Sequence, residues 1–536
     1  MKRREFLGAG MIGTGAWMGG VAMAATGRAG SRDAWGDAVA EASITELQAQ
    51  MGSGKLTAHA LVGAYLARIR AIDRAGPRLN SIIELNPDAP AIAAELDRER
   101  KLHGARGPLH GIPILIKDNI ATADRMQTSA GSLALLGVKP PRDAFVVTRL
   151  REAGAVLLGK TNLSEWANIR STRSTSGWSA RGGLTRNPYA LDRNTSGSSS
   201  GSAAAIAASL AAAALGTETD GSITSPAAIN GLVGIKPTVG LVSRHGIIPI
   251  AHSQDTAGPM ARTVADAAAL LSAIAGTDAR DEATRDAAAK AVDYTMHLDV
   301  DGLSGARLGV VRANFGGRND LVSTVVEQAL LMLQARGATL IDVELPNVAK
   351  YGQTELEVLL YELKADLPGY LAEFAPGSPI RTLKDLIGFN ERERTREMPF
   401  FGQELFLRAE AKGGLDSKEY LDALANNHRY ARAEGIDQVL NAHRLDALVA
   451  PTTGPAWLTD FYKGDASGGG FTSPAAVAGY PHVTVPAGFV HGLPAAISFV
   501  GTAWSEATLI RLAYAYEQAS RQRRPPTFAK SVNPKM

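Results

Sequence analysis

Short apolar runs alternate with longer amphipathic stretches along most of this chain. PILI at residues 113–116 and AVLL at residues 155–158 are runs of the first kind, and residues 322–336 are a stretch of the second. A short apolar run between turn signals indicates a buried strand, whereas apolar residues three or four apart indicate a helix. Strands that alternate with helices predict a mixed α/β fold, in which helices cover a central sheet.

The same two patterns place further elements along the chain. Ser43 and Glu46 form a capping-box pattern, and Thr57 can cap the following helix. An alanine-rich segment at residues 203–214 lies between two serine and glycine loops, and a nearly all-helical block at residues 346–443 is interpreted as a cover over the sheet. Strands are predicted at residues 232–235, 308–311, 340–343, 447–449, 483–485 and 496–500, and helices between 43 and 101 and at 145–153, 264–275, 356–374, 418–443 and 505–520.

Composition limits the size of the core and the chemistry. The 536 residues are 45% apolar and 20% charged, the balance of a globular protein, and the length allows one large domain or as many as three. The formal net charge of +3 disfavours a protein that coats nucleic acid. Cysteine is absent, which excludes disulfides, cysteine zinc sites and thiolate nucleophiles. A covalent nucleophile would have to be serine, threonine, lysine or a carboxylate.

The first residues have the pattern of an export signal. KRREFL at residues 2–7 contains a twin arginine before an apolar pair, which is typical of twin-arginine (Tat) signals. A mild apolar stretch follows and ends in AMA at residues 22–24, which fits a signal-peptidase site after Ala24. We therefore expect residues 1–24 to be a signal peptide and residues 25–536 to be a periplasmic or secreted protein, without stable membrane insertion after cleavage.

Two short motifs match known patterns in their letters but not in their context. GAVLLGKT at residues 154–161 has the spacing of a P-loop, yet its four middle residues indicate a strand where a P-loop needs a flexible loop. GSSSG at residues 197–201 has the G-x-S-x-G spacing of a nucleophile elbow, yet no buried strand precedes it. The ten histidines form no H-x-x-x-H or H-x-H cluster, so no metal site is predicted.

Three segments that stand in order along the chain carry a resemblance to a known family. GIPILIKDN at residues 111–119, SGSSSGSAAA at residues 196–205 and GTETDGSI at residues 216–223 are similar to motifs of the amidase signature family. NGLVGIKPT at residues 230–238 continues the likeness, which extends over most of residues 40–520. The resemblance implies a single large domain with a mixed central sheet, which hydrolyses amides and needs no cofactor.

By this resemblance, the reaction centre consists of one lysine and two serines. Ser222 is implied as the nucleophile, Ser198 as a bridging serine that follows a cis peptide bond with Gly197, and Lys117 as the general base. The oxyanion is expected to be held by the backbone N–H groups of Thr219, Asp220, Gly221 and Ser222.

The chemistry of these side chains agrees with such roles. A serine hydroxyl is a weak nucleophile that needs a base, and a lysine can act as one only when it is neutral. The apolar run at residues 114–116 suggests surroundings that would lower the pKa of Lys117. Ser198 can accept a proton from Ser222 and donate one to Lys117. Alone, Lys117 would be interpreted as a solvated lysine at a strand end and the serines as turn residues, whereas the three together favour catalysis.

Three positions depart from the usual pattern of the family. Glu218 replaces an aspartate, and Asp220 and Ser200 each replace a glycine. The Asp220 carboxylate would oppose an oxyanion if it faced the reaction centre, so it must point away or contact a polar group of the substrate. With GIIPI at residues 246–250 and SQDTAGPM at residues 253–260, the altered segment looks most like those of peptide amidases, which release ammonia from C-terminally amidated peptides.

Other functions stay open at this point. The chain could act on small aliphatic or aryl amides, or could be the amidase component of a transamidosome, although the cytoplasmic work of a transamidosome disagrees with an export signal. It could also be a non-catalytic periplasmic binding protein, but such a protein has no need of a lysine and two serines at this spacing. The expected partner is a peptide or small-molecule amide, not a nucleic acid.

Overall fold

A computed structural model describes residues 39–314 and 320–532 of the chain. The predicted signal peptide at residues 1–24 lies outside these residues. Among the helices of the two described ranges, none is long and apolar enough to cross a membrane.

The described residues form one large α/β domain around a mixed sheet of 11 strands. The order across the sheet is β1-β3-β2-β6-β8-β7-β12-β13-β11-β9-β10, and β4 and β5 form a separate pair. In chain order the strands are β1 (Ile82–Leu85), β2 (Pro113–Lys117), β3 (Val156–Thr161), β4 (Trp178–Ser179), β5 (Gly183–Leu184), β6 (Ala213–Glu218), β7 (Val233–Lys236), β8 (Thr256–Ala261), β9 (Arg307–Val311), β10 (Thr339–Val343), β11 (Ala447–Pro451), β12 (His482–Val490) and β13 (Leu493–Val500).

Helices surround this sheet, and their ends follow the capping signals of the sequence. Ser43 and Glu46 make the predicted capping box, and the Thr57 hydroxyl accepts a hydrogen bond from Ala60 N. The α-helices are Ile44–Gly52, Ala58–Arg68, Ala89–His103, Phe145–Glu152, Ser200–Ala207, Thr224–Ile229, Val264–Ile274, Ala287–Lys290, Asp320–Ala335, Val348–Phe374, Leu383–Arg392, Arg394–Glu397, Glu404–Glu410, Lys418–His428, Asp437–His443, Ser473–Ala478 and Glu506–Ser520, and π-helical turns occupy Ile69–Arg74 and Arg429–Ile436.

The centre of the sheet places the predicted lysine beside the strand that leads to the predicted nucleophile. β2 is parallel to both of its neighbours, β3 and β6, and every residue of these three strands is buried. Parallel strands end at the same edge of a sheet. Lys117, the last residue of β2, therefore lies next to the end of β6. The last residue of β6 stands four positions before Ser222 in the sequence.

All predicted strands are present, but three strands of the central sheet and the separate pair β4 and β5 were not predicted. β1 lies within the region predicted to be helical, and β6 begins in the alanine-rich segment. Alanine and glycine are poor indicators of strands, yet small residues are needed in β6, because a Cβ at Gly216 would lie 2.7 Å from Ser199 Oγ. β8 is similar, since it contains Pro259, and a Cβ at Gly258 would lie 2.0 Å from the Ile235 carbonyl oxygen. Close packing of neighbouring segments against the strand backbone thus overrides local propensity in these strands.

Candidate active site

Lys117 is buried at the end of β2 and contacts two hydroxyl groups. Its Nζ lies 2.7 Å from Ser198 Oγ, 2.8 Å from Thr217 Oγ1 and 3.2 Å from the Thr217 carbonyl oxygen. Burial lowers the pKa of Lys117 to about 7, although the charges of Asp255 and Glu218 act in the opposite direction. A neutral amine can donate its two hydrogens to the two oxygens of Thr217, which leaves its lone pair for the Ser198 hydroxyl proton.

Ser198 stands in a tightly packed loop. At the preceding position, residue 197, the packing leaves no room for a residue larger than glycine. The Gly197–Ser198 peptide bond is cis, as the resemblance implies. A Cβ at Gly197 would lie 2.1 Å from Ser164 Oγ. Ser198 itself is fully buried, so its hydroxyl exchanges hydrogen bonds with protein groups and not with bulk water.

Ser222 lies beside the Ser198 segment and keeps its hydroxyl available. Ser199 N donates to the Ser222 carbonyl oxygen at 3.1 Å, which joins the two serine segments through the main chain. The Ser222 side chain is 8% exposed, and its hydroxyl has no hydrogen-bond partner within residues 39–314 and 320–532. The structure thus brings Lys117 and Ser198 into direct contact and places Ser222 next to them, with a hydroxyl that can turn towards a substrate.

The turn between β6 and Ser222 presents unused N–H groups. In the described part of the chain, the N–H groups of Asp220, Gly221 and Ser222 donate to no protein acceptor. Gly221 has a φ of +73°, and a Cβ there would lie 3.0 Å from Thr472 Oγ1. Glycine therefore allows both the backbone conformation and the close approach that this turn requires.

Glu218 stabilises the far side of the same turn. Its carboxylate accepts hydrogen bonds from Ile223 N at 2.7 Å and Thr224 N at 2.9 Å, at the start of helix Thr224–Ile229. Burial raises the pKa of Glu218, while the charge of Lys236 and these backbone donors lower it. Glu218 thus binds the segments before and after Ser222 together.

Asp220, the second departure from the family pattern, is engaged by a neighbouring helix. Ser473 Oγ, at the start of helix Ser473–Ala478, donates to Asp220 Oδ2 at 2.6 Å. The sequence required this carboxylate either to point away from an oxyanion or to contact the substrate, and the contact with Ser473 gives it a protein partner.

Two cavities approach the turn from different sides. The larger, of about 370 Å³, begins at Thr217 and Thr219 and has an apolar wall that includes Ile248, Tyr370 and Phe374. The last two belong to helix Val348–Phe374, so the helical block does contribute to this cavity. The smaller, of about 240 Å³, is lined by Gly197, Asp220, Gly221 and polar side chains of the Trp457–Thr472 region, namely Asp465, Ser467 and Thr472.

Several charged groups in the larger cavity are paired with each other. Arg244 pairs with Asp281, and His245 pairs with Glu373. Asp255 also lines the cavity and has no ion-pair partner among the described residues, although Thr219 Oγ1, Ile250 N and Ala251 N donate to its carboxylate.

Three of the described side chains stand close enough to hold a metal ion, namely His252, Glu362 and Asp366. His252 Nδ1 lies 2.8 Å from Asp366 Oδ2, and Tyr420 Oη donates to Glu362 Oε1 at 2.8 Å. These hydrogen bonds account for the arrangement of the three side chains, and the hydrogen bond with Asp366 raises the pKa of His252.

The segment at residues 154–161, which matches the P-loop pattern in its letters, does not form a P-loop. Residues 156–161 are β3, as the context predicted, and Lys160 is fully buried. Its Nζ donates to the Ile120 carbonyl oxygen at 2.7 Å and to Thr128 Oγ1 at 2.8 Å. Lys160 is therefore committed to the core and not to a phosphate site.

Sequence reasoning did not find three polar residues that surround Lys117. Thr217 contacts it directly, Asn119 Nδ2 donates to Thr217 Oγ1 at 2.9 Å, and Asp255 acts on it by charge. Each stands within or beside a segment that carries the resemblance. The signal that could have found Thr217 is its place in the segment GTETDGSI, which carries the resemblance and in which Thr217 stands one residue before the end of β6.

Comparison with known proteins agrees with this geometry. A family model described as Amidase matches residues 60–510. The chain belongs to the amidase signature family. It is therefore an amide-hydrolysing enzyme, as the resemblance of its motifs implied.

The individual relatives of this chain include proteins of several kinds. The crystal structure of native peptide amidase from Stenotrophomonas maltophilia is similar, with 56% identity, a TM-score of 0.87, and coverage of 91% of this chain and 99% of that one. A probable amidase of Arabidopsis thaliana is 44% identical over 91% of this chain and 92% of its own length. A glutamyl-tRNA(Gln) amidotransferase component of Chloroflexus aurantiacus is 38% identical over 89% and 96%, respectively.

Proposed function

We propose that this amidase releases ammonia from the C-terminal carboxamide of peptides, with Ser222 as the nucleophile, Ser198 as a proton relay and Lys117 as the base. The observation that carries the proposal is the 2.7 Å contact between the buried Lys117 Nζ and Ser198 Oγ. Burial lowers the pKa of Lys117 to about 7, so that a large fraction is neutral at neutral pH and can accept a proton.

The reaction proceeds by acyl transfer. Ser222 Oγ attacks the amide carbonyl carbon while its proton passes to Ser198 Oγ, and the Ser198 proton passes to Lys117 Nζ. The tetrahedral intermediate then expels its nitrogen, which takes a proton back along the same path and leaves as ammonia. A water molecule attacks the resulting ester by the same relay and releases the carboxylic acid and the free Ser222 hydroxyl.

In this mechanism, the turn that precedes the nucleophile binds the oxyanion of the tetrahedral intermediate. The N–H groups of Asp220, Gly221 and Ser222 have no protein acceptor in the described part of the chain, and Thr219 completes the predicted set. Fixed backbone donors stabilise a developing oxyanion without the reorganisation that water would need. Glu218 keeps this turn in place through Ile223 and Thr224.

A peptide amide is favoured over a small amide by the size of the cavity and by the relatives. A cavity of about 370 Å³ falls within the range of sites that enclose drug-sized ligands, which is more room than acetamide or benzamide requires. Its apolar wall suits a peptide side chain next to the amide. The 56% identity with a peptide amidase supports the same preference, and the 38% identity with the amidotransferase component gives that alternative less support.

Ammonia release from a matched set of substrates tests the proposal. The set contains an N-acetyl dipeptide amide, the same dipeptide with a free carboxylate, acetamide and benzamide. We expect the dipeptide amide to have the highest kcat/KM and its internal peptide bond to stay intact. A higher kcat/KM for acetamide or benzamide would favour the small-amide alternative instead.

The nucleophile is tested by Ser222→Ala. This change removes the attacking oxygen and is expected to lower kcat by ~10⁴-fold or more, as the loss of a triad member does in other serine hydrolases. Ser272→Ala is the matched control, because Ser272 lies on helix Val264–Ile274 and donates to the Ala268 carbonyl oxygen. Undiminished turnover by Ser222→Ala would remove Ser222 from the mechanism.

We also propose that the enzyme is exported through its twin-arginine signal at residues 1–24. The support is the sequence pattern, with Arg3 and Arg4 before an apolar stretch and a small-x-small end at Ala24. N-terminal sequencing of protein from the periplasmic fraction should find Ala25 as the first residue. An intact Met1 in that fraction, or continued export of an Arg3→Lys/Arg4→Lys variant, would contradict the proposal.

A further inference from the structure

Asp220 carries a buried oxygen that needs a donor. Oδ2 accepts from Ser473 Oγ, but Oδ1 is buried without any N–H or O–H donor from the described residues as long as neighbouring acids are ionised. A buried carboxylate oxygen without a donor costs free energy, because the lost hydration is not replaced. The turn therefore requires a further proton in this place.

Glu355 is in a position to supply that proton. It lies on helix Val348–Phe374, almost fully buried, and its carboxyl, when protonated, can donate to Asp220. Burial and the adjacent negative charge of Asp220 both raise the pKa of Glu355 well above its usual range. Two adjacent buried carboxyls share one proton, since the ionisation of both would bring two negative charges together.

Gln254 connects the same glutamate to the next residue of the turn. Its Nε2 lies 3.0 Å from Glu355 Oε1 and 3.3 Å from the Thr219 carbonyl oxygen. The turn is thus tied at two consecutive residues, Thr219 and Asp220, to a helix more than a hundred positions away in sequence. Both residues belong to the proposed oxyanion site.

We propose that Glu355 is a positioning residue for the nucleophile turn, which shares one proton with Asp220 and thereby keeps the Asp220 carboxylate from the developing oxyanion. The inference rests on the proposed role of Ser222 and deepens it. It also gives a reason for an aspartate at a position where the family usually has glycine, because a glycine could not take part in this tie.

Because of the shared proton, we expect the alkaline side of the pH–rate profile to depend on the ionisation of Glu355. When Glu355 ionises, two adjacent carboxylates repel each other, and the turn loses the alignment of its N–H groups. Activity should therefore fall as the pH rises through the raised pKa of Glu355. Other ionisable groups that act on the pair are few in the described residues, namely Tyr351 on the same helix and, next to Asp220, Glu218 and Lys236.

Two substitutions of Glu355 distinguish the loss of its hydrogen-bond donor from the loss of its ability to ionise. Glu355→Gln keeps a donor for Asp220 and an acceptor for Gln254 but cannot ionise, so we expect kcat within about threefold of the wild type and no alkaline fall. Glu355→Leu keeps the volume but removes the donor, so we expect kcat to fall by ~100-fold with KM within about twofold, because a misaligned reaction centre affects the transition state most.

Glu357 provides the matched control on the same helix. It is ion-paired with Lys412 and does not contact the turn, so Glu357→Gln and Glu357→Leu should keep the wild-type pH–rate profile and kcat. Thermal unfolding of each variant shows whether it is folded. If Glu355→Leu does not fold, the pH–rate profile of Glu355→Gln decides the matter by itself.

The outcomes separate this inference from the proposed function. A wild type without an alkaline fall, a Glu355→Gln enzyme that retains one, or a Glu355→Leu enzyme with normal kcat each overturns the role of Glu355 while Ser222→Ala stays inactive. An active Ser222→Ala enzyme overturns the proposed function instead. In a double-mutant cycle, Asp220→Gly and Glu355→Leu should be strongly non-additive, because each removes the same contact.

Discussion

Replacing Asp255 by asparagine should move the acid limb of the pH–rate profile to lower pH. Lys117 must be neutral to accept a proton, so kcat/KM rises as the pH increases through its pKa of about 7. The negative charge of Asp255 raises that pKa by favouring the ammonium form. When this charge is removed, less opposes the effect of burial on the pKa of Lys117. That pKa therefore falls further.

The magnitude follows from how Asp255 acts. An opposite charge within a few ångströms changes a pKa by about 1–3 units, and Asp255 acts on Lys117 by charge without a hydrogen bond. We therefore take the lower value, a shift of about one pH unit. At about pH 7, where Asp255 with its pKa of about 6 is mostly ionised, the neutral fraction of Lys117 then rises from ~50% to ~90%, and activity relative to each enzyme's own plateau rises about twofold.

The substitution suits this test because asparagine can keep every hydrogen bond. Asp255 Oδ2 accepts from Ile250 N and Ala251 N at 2.7 and 2.9 Å, which an amide oxygen can do as well. Asp255 Oδ1 accepts from Thr219 Oγ1 at 2.5 Å. In the variant, the amide nitrogen can donate to that hydroxyl instead, since a threonine oxygen both donates and accepts.

The assay is ammonia release at low substrate concentration, which gives kcat/KM across the acid and neutral range. Asp266→Asn is the control, because Asp266 is also a buried aspartate whose pKa burial raises to about 6 and it does not act on Lys117. An acid limb that stays in place or moves upward in Asp255→Asn would refute the assignment of that limb to Lys117. A limb that belongs to His252, whose pKa its hydrogen bond with Asp366 raises, would stay in place.

Three further predictions concern the base and the backbone around it. Lys117→Arg should lower kcat/KM by ~10³-fold or more at about pH 8, because a guanidinium stays protonated there; a rate near that of the wild type would exclude a base at this position. Gly221→Ala should lower the free energy of unfolding by about 1–2 kcal/mol, since alanine is strained at a φ of +73°, and should lower kcat as the turn moves, both measurable by denaturant unfolding and ammonia release. Gly258→Ala should lower the free energy of unfolding by ~3 kcal/mol or prevent folding, because its Cβ would meet the Ile235 carbonyl oxygen; an unchanged unfolding midpoint would show that the strands can separate there.

Much of the fold could be predicted because its buried strands are continuous apolar runs. β2 and β3 are buried on both faces, β2 contains the run PILI and β3 begins with the VLL of the run AVLL, so that local pattern and tertiary position agree. The site could be predicted in part for another reason. Lys117, Ser198 and Ser222 each stand in a segment with a resemblance, and the order of these segments along the chain indicated one shared site before any contact was visible.

The remaining features depend on contacts that no local pattern encodes. β6 is a strand because its small residues let Ser199 approach Gly216, whereas the same alanines and glycines in isolation give no strand signal. Glu355 is more than a hundred residues from Asp220, on a helix whose buried face holds several other polar residues. Without the fold, nothing distinguishes Glu355 from Glu362 or Tyr351 as the partner of the turn.

Glu218 and Asp220, the two acidic residues that differ from the family pattern near Ser222, lie in different places relative to the turn. Their electrostatic effect on the reaction centre is nevertheless similar. Glu218 lies behind the turn, where Ile223 N and Thr224 N donate to it and Lys236 lies near enough to act on its charge. Asp220 lies in the turn, where Ser473 donates to one of its oxygens. A carboxylate whose lone pairs accept hydrogen bonds has less negative potential to direct at a neighbouring oxyanion. An acid-rich nucleophile segment is therefore compatible with amide hydrolysis because each carboxylate has donors of its own, and the turn keeps its own N–H groups for the reaction.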